Sequence, residues 1–455
     1  MCHESKTSKK NQLSTKQDVN KPYELAIKYA KYYGGKVEVV PRVPITSLND
    51  FGVWYTPGVA QVSRDIHKDR DLSFQYTNRW NTIAVLTNGT RVLGLGNVGP
   101  EASAPVMEGK SLIFKYLGGV DAFALPINVM DKAQFVEVAK VLEPALGGIN
   151  LEDIRQPDCF YILERCRKEM NIPVWHDDQQ GTAGATVAGL VNALKVVGKK
   201  IGDVSIVFFG CGAANISNAR LAITAGADPK KMCMVDSKGV LHPDREDMDR
   251  MAMENPWKYE FALKTNAERR KGGLADALKG ADVVIAASTP GPGVIKPDWI
   301  RGMNDDSIVF AEANPVPEIW PWEAKEAGAK VVATGRSDFP NQVNNSLVFP
   351  SVFRGVLDIQ AKTITDEMAV TASYELAKFA EERGLSEEHI VPTMEDWEVY
   401  PRVATAVAMK AMEQGITRKK MSRDELMHQA TTMISHARKQ IETLMKNGII
   451  PPFPE

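Results

Sequence analysis

The sequence predicts an α/β protein with mainly parallel sheets and a helical C-terminal segment. Short apolar or β-branched runs alternate with helical stretches along most of the chain, the pattern of successive βα units. One run, VSIVFFG at 204–210, is apolar throughout, as a strand buried on both faces requires. It leads directly into GCGAAN at 210–215, a glycine turn that opens a helix, as in a doubly wound nucleotide-binding sheet.

A helical pattern runs from Pro22 to about Gly35, behind a polar, lysine-rich tail at 1–21 that reads as disordered. TIAVLTNGTRVLGL at 82–95 reads as two short strands around an Asn88-Gly89 turn. Residues 96–119 read as a loop opening into a helix, followed by strand DAFALPINV and helix DKAQFVEVAKVLEPAL. GINLEDI at 148–154 and IPVWHDD at 172–178 are strands that each end in two acids, with a helix between them. A helix rich in small residues, 181–198, joins the two halves. In the second half, strands at 231–239, 281–288, 306–315 and 329–335 alternate with helices, and about the last hundred residues are helical.

The bulk numbers exclude several function classes. The chain has 455 residues, 44% of them hydrophobic and 25% charged, enough for two or three domains and a core without staples. A net charge of −2 points to no nucleic-acid or membrane partner. Cys2, Cys159, Cys166, Cys211 and Cys233 form no CxxC pair or zinc spacing, which fits a reducing cytoplasm. The tail lacks the apolar core of a secretory signal, and no run is long enough to span a bilayer. Organelle import through the tail stays open.

Two constellations carry chemistry. Gly210 and Gly212 allow a tight turn and close approach to a pyrophosphate at a helix N-terminus. Asp236, at the end of the next strand, stands where an acid takes the adenosine ribose hydroxyls of NAD; Lys238 nearby could instead meet the 2′-phosphate of NADP. The second constellation is the pair of acidic strand ends, Glu152 and Asp153 with Asp177 and Asp178. Four carboxylates converging on one crevice suit Mg2+ or Mn2+. His176 reads as a core residue behind them. Lys110, after a glycine-rich loop, is a candidate proton carrier, and Tyr55, before a Pro-Gly turn, a candidate acid.

The motifs YTPGVA, NGTRVLGLGNVGPEASAPVMEGK, NLEDI, HDDQQGTA, EANPVPEI and TGRSDFPNQVNNSLVFPSVFRG, in that order between about 54 and 360, resemble the malic enzyme family in its short form. The resemblance implies an N-terminal malic domain (22–184), a Rossmann-like NAD(P)-binding domain (185–355) and a helical segment (356–455). It implies oxidative decarboxylation of (S)-malate to pyruvate and CO2 with NAD or NADP, Mg2+ or Mn2+, in a homodimer. Glu152, Asp153 and Asp178 would ligate the metal. Lys110 would be the general base with Asp177 beside it, and Tyr55 the general acid. Arg91 would pair with a malate carboxylate. Asn314 and one or both of Asn344 and Asn345 would bind substrate or the nicotinamide end. Gly210, Cys211, Gly212, Ala213 and Ala214 would hold the pyrophosphate. Gln180 stands where many short-form members have histidine, Asn215 replaces the third small residue of the phosphate loop, and the charged segment 241–272 has no assigned role. The competing enzyme reading is a malolactic or oxaloacetate-decarboxylating relative without net redox; a non-catalytic nucleotide-binding regulator and an amino-acid dehydrogenase fit the acids less well.

Overall fold

In the computed structural model, residues 16–454 are described. They fall into two compact units, one formed by the N-terminal stretch to Pro44 with the C-terminal stretch from Gln440, the other by Ile45–Lys439. In the first, helix α1 (Lys16–Tyr33) carries Tyr29, whose ring stacks on Phe453 at 5.0 Å, and Tyr33, whose hydroxyl donates to the Pro451 carbonyl at 3.1 Å. Helix α1 starts inside the stretch expected as a disordered tail; residues 1–15 of that expectation, with Cys2, lie outside the described residues.

The larger unit holds two sheets. The first is four-stranded and parallel, ordered β2-β1-β3-β4, from β1 (Thr82–Thr87), β2 (Asp121–Pro126), β3 (Gly148–Leu151) and β4 (Val174–His176). Its crossovers are helices α2 (Gly99–Gly118), α3 (Lys132–Leu142) and α4 (Asp158–Glu169). The hairpin expected at Asn88-Gly89 does not form. Strand β1 pairs with β2 on one edge and β3 on the other, so neither edge is left for a returning strand. After Gly89 the chain makes only an isolated bridge between Val92 and Gly96.

Helix α5 (Thr182–Val196) leads into the second sheet. Its small residues permit close packing: a Cβ on Gly184 would sit 3.0 Å from Val348, and one on Gly189 3.2 Å from Phe310. The second sheet is six-stranded, ordered β10-β9-β8-β5-β6-β7. Its strands are β5 (Ile206–Phe209), β6 (Met232–Asp236), β7 (Gly239–Val240), β8 (Val283–Ala286), β9 (Ile308–Ala311) and β10 (Val331–Thr334). All its pairings are parallel except β6 with β7. Alternate residues enter separate cores: Ile206, Phe208, Ile285 and Phe310 on one face, Val207, Val284, Val309 and Val332 on the other. Burial on both faces explains the unbroken apolar runs, and the α/β expectation holds. Helices α6 (Ala213–Thr224), α7 (Met248–Glu254) and α8 (Pro256–Lys264) lie between β5 and β8 in sequence. The C-terminal helices α9 (Phe349–Asp358), α10 (Asp366–Glu382), α11 (Val399–Glu413) and α12 (Arg423–Lys446) bear out the helical end. No described helix is long and apolar enough to cross a membrane.

Candidate active site

Strand β3 ends at Leu151, and Glu152 and Asp153 follow it. Asp153 takes a left-handed backbone, φ 53°, an unfavourable conformation for a residue with a Cβ. The turn is held by the Arg91 N–H, which donates to the Asp153 carbonyl at 3.0 Å, and by the Leu93 N–H, which donates to Asp153 Oδ1 at 3.3 Å. Strand β4 ends at His176, and Asp177 and Asp178 open a π-helical turn over Asp177–Gly181 before α5. The Asp153 N–H donates to Asp178 Oδ2 at 2.9 Å and ties the two strand ends together. Gly181 is required there, because a Cβ would lie 1.9 Å from Asp177 Oδ1.

Helix α2 turns Met107, Lys110, Ser111 and Phe114 inward at helical spacing. The Lys110 ammonium lies 2.5 Å from Asp177 Oδ2, 3.1 Å from Glu152 Oε1 and 4.5 Å above the Phe349 ring. Trp175 Nε1 donates to the other Asp177 oxygen at 3.1 Å. Burial pulls the Lys110 pKa down, but Asp177 and Glu152 outweigh it and hold the pKa well above the usual lysine range. Burial raises all four acids. Glu152 goes well above the ordinary range and Asp153 to about 7, with Asp178 beside it adding repulsion.

Glu152, Asp153 and Asp178 each offer a carboxylate oxygen within 4.8 Å of the others. Asp153 Oδ2 is buried with no hydrogen-bond partner. An oxygen-only donor set of three acids, which burial and mutual repulsion make costly to ionise without a cation, fits a hard divalent ion. His176 is fully buried, and burial lowers its pKa to about 3, so a neutral ring stands behind Asp178. Gln180 accepts from the His176 N–H at 3.1 Å, a structural role for that departure.

At the second sheet Gly210, φ 96°, packs so closely that a Cβ would meet the Ala287 carbonyl at 2.4 Å. A Cβ on Gly212 would meet nothing within 4 Å, and the start of α6 has no side-chain cap, so the turn leaves room and uncapped backbone for a phosphate. Asn215 is no defect in this loop. Its side chain donates to the Phe209 and Ile285 carbonyls at 2.7 and 3.2 Å and joins β5 to β8.

The other expected residues divide. Asn345 lies beside Asp177, its Cβ 3.1 Å from where a Gly181 Cβ would stand. Asn344 accepts from the Ser346 N–H at 2.9 Å and caps the turn that follows it. The Asn314 carbonyl lies 3.3 Å from the Cβ position of Gly94, so the loop after Arg91 and the end of β9 meet. Tyr55 stands apart, with its side chain 69% exposed and no hydrogen bond from its hydroxyl to Lys110 or the acids. Asp236 is engaged by Arg245 and Lys258, both from the unassigned segment 241–272. A residue given no role by the sequence is Glu312, the first of the EANPVPEI motif, buried between Thr186 and Asn218, with burial raising its pKa to about 8. Its sequence signals were its place at the head of that motif and at the end of an apolar strand.

The family model described as the malic enzyme NAD-binding domain matches residues 179–416, and the one described as the malic enzyme N-terminal domain matches residues 34–134. A bifunctional malic/malolactic enzyme from Bacillus subtilis is 47% identical over 395 residues, covering 87% of this chain and 94% of its own length. An NAD-dependent malic enzyme from Geobacillus stearothermophilus is 44% identical over 86% of this chain and 80% of its own length. An NADP-dependent malic enzyme from Haemophilus influenzae is 42% identical over 84% of this chain, which spans about half (51%) of that longer relative. The solved structure of Entamoeba histolytica malic enzyme superposes with a TM-score of 0.93 at 44% identity, covering 98% of this chain and 93% of that one. That of a malic enzyme from Pyrococcus horikoshii gives 0.88 at 45%, covering 92% and 98%.

Proposed function

Because the chain belongs to the malic enzyme family, we propose that it oxidatively decarboxylates (S)-malate to pyruvate and CO2, reducing NAD or NADP, with Mg2+ or Mn2+ at the acidic cluster. The observation that carries this reading is the buried Lys110 ammonium held between Asp177 and Glu152, on the rim of three converging carboxylates. In this reading 22–184 is the substrate and metal domain, 185–355 the dinucleotide domain and 356–455 a helical segment.

Glu152, Asp153 and Asp178 hold the cation. When bound, the dinucleotide accepts the hydride and the divalent cation supplies Lewis acidity for the charge that develops at the C2 oxygen. Arg91 pairs with a malate carboxylate, its backbone fixed to the cluster by the Asp153 carbonyl. Lys110 takes the C2 hydroxyl proton as hydride leaves C2, and Asp177 holds it in position. Lys110 can do so only while the charge of Asp177 and Glu152 is offset, since together they now keep it protonated. Loss of CO2 leaves an enolate whose C3 takes a proton from Tyr55. Gly210, Cys211, Gly212, Ala213 and Ala214 hold the pyrophosphate, and Asn314, Asn344 and Asn345 orient the substrate and the nicotinamide end.

The exposure of Tyr55 fits a homodimer whose interface includes its segment. Leu48, Phe51, Val53 and Trp54 around it are exposed apolar side chains that a second copy would cover. The bifunctional Bacillus subtilis relative favours one second reading, a malolactic reaction at the same site. The test is absorbance of the reduced nicotinamide with (S)-malate, Mn2+ and either cofactor, with and without chelator. Chelator-sensitive reduction with pyruvate as product is expected. Lactate formed without net reduction would instead establish the malolactic reading.

A further inference from the structure

The segment 241–272 places two cations on Asp236, and this changes what Asp236 can recognise. Its carboxylate is almost fully engaged. Oδ1 accepts from the Lys238 N–H at 2.8 Å and from Arg245 Nη1 at 3.0 Å, while Oδ2 takes the Lys258 ammonium. A carboxylate that grips both hydroxyls of an adenosine ribose needs a free lone pair on each oxygen, and Oδ1 has both of its lone pairs in use. Gripping the diol would mean displacing Arg245, a charge-assisted bond between side chains each only 7% exposed.

The same cluster is well made for an anion. Arg245 also holds Asp247 through two bonds of 2.9 Å, and the Lys238 ammonium reaches Asp247 at 2.9 Å. Three cations, Lys238, Arg245 and Lys258, thus face two carboxylates, Asp236 and Asp247, and one positive charge is left over. An ammonium has three donors, and Asp236 uses one from Lys258. The cluster adjoins the phosphate loop, because the Gly210 N–H donates to the Val235 carbonyl at 2.9 Å. The Cys211 thiol, in the loop itself, feels the charges of Lys258, Asp236 and Arg245.

We propose that this cluster selects the 2′-phosphorylated dinucleotide, with Lys258 and Lys238 receiving the 2′-phosphate and Asp236 serving as the positioning residue that holds Lys258 and Arg245 beside the phosphate loop. This rests on the reading that Gly210 to Ala214 hold the pyrophosphate.

Calorimetric titration of the full chain with 2′-phospho-ADP-ribose and with ADP-ribose, which keep the pyrophosphate, lack the nicotinamide and differ only in the 2′-phosphate, tests it without turnover. The 2′-phosphate is expected to tighten binding by about tenfold or more, an advantage that shrinks with added salt. Lys258→Gln should remove most of that advantage, and Lys258→Arg should keep it. Asp236→Asn separates the two roles of the acid: loss of affinity for 2′-phospho-ADP-ribose alone supports a clamp, while loss for ADP-ribose means that Asp236 grips the diol and overturns the proposal. Equal affinities, tighter ADP-ribose, or an advantage untouched by Lys258→Gln overturn it as well, and leave the malic enzyme reading standing. If neither fragment binds, the phosphate-loop assignment falls together with the proposal.

Discussion

Two charged clusters lie at strand ends, one in each sheet, and they balance their charge in opposite ways. After β3 and β4, Glu152, Asp153, Asp177 and Asp178 gather around Lys110, with Arg91 acting more weakly on Asp178, and burial raises every one of the four acids. After β6, Asp236 and Asp247 are held by Arg245, Lys238 and Lys258; burial would raise Asp236, but Lys258 and Arg245 keep it below the usual carboxylate range. The first cluster holds more acids than cations. The second is complete and has positive charge to spare. A strand-end acid therefore says little about its ligand until its counter-charges have been counted.

Removing Lys110 should have the largest effect. Lys110→Ala is expected to lower kcat by about 10³-fold or more, the size of a general-base contribution, while the dinucleotide Kd stays within about twofold. Stopped-flow turnover beside equilibrium cofactor binding measures both, and turnover near wild type would take Lys110 out of the mechanism.

The same Asp→Asn change should act with opposite sign in the two clusters. Asp178→Asn removes one of the four like charges, and the asparagine's amide oxygen, turned to the place of Asp178 Oδ2, can still accept from the Asp153 N–H. It should raise the thermal midpoint of metal-free protein by a few degrees, roughly 1 kcal/mol, and abolish most of the stabilisation that Mn2+ gives. Asp236→Asn strips Arg245 and Lys258 of a partner and should cost about 1–3 kcal/mol. Scanning calorimetry with and without chelator compares them; a metal-free Asp178→Asn protein less stable than wild type would mean that the acids are not under mutual strain.

The first cluster was legible in the sequence because its signal is local. GINLEDI and IPVWHDD show an apolar strand and the acids at its end within a few residues, and parallel strands bring such ends to one side. Lys110 was legible through its glycine-rich motif. The second cluster was only half legible. Asp236 ends its strand, but the cations come from 241–272, where nearly half the residues are charged and nothing marks Arg245 and Lys258 among them. Long-range pairing also defeated the hairpin at Asn88-Gly89. The turn chemistry was right for a hairpin, yet β1 is a central strand with both edges taken, a fact that resides in β2 and β3. Glu312 stayed hidden because a strand-end acid is normally solvated, and only the packing of α5 and α6 encloses it.

Glu312 supplies the third way to settle a buried carboxylate, and it sharpens the contrast by involving no cation. Thr186 Oγ1 donates to one of its oxygens at 2.7 Å and Asn218 Nδ2 approaches the other at 3.4 Å, both neutral groups. The carboxyl therefore keeps its proton up to about pH 8 instead of pairing. In the unfolded chain it ionises near its ordinary value of 4.5. The folded pKa is the higher of the two, so between those values the unfolded state has lost a proton that the folded state retains. This group's share of stability is thus full below about pH 4.5 and falls as pH rises toward about 8. A glutamine in its place cannot titrate. Glu312→Gln should accordingly be near neutral in urea unfolding at pH 5 and gain about 1–3 kcal/mol on wild type by pH 8. An advantage that shrinks with pH would mean that Glu312 is charged in the fold and balanced by a cation, a second case of the Asp236 kind.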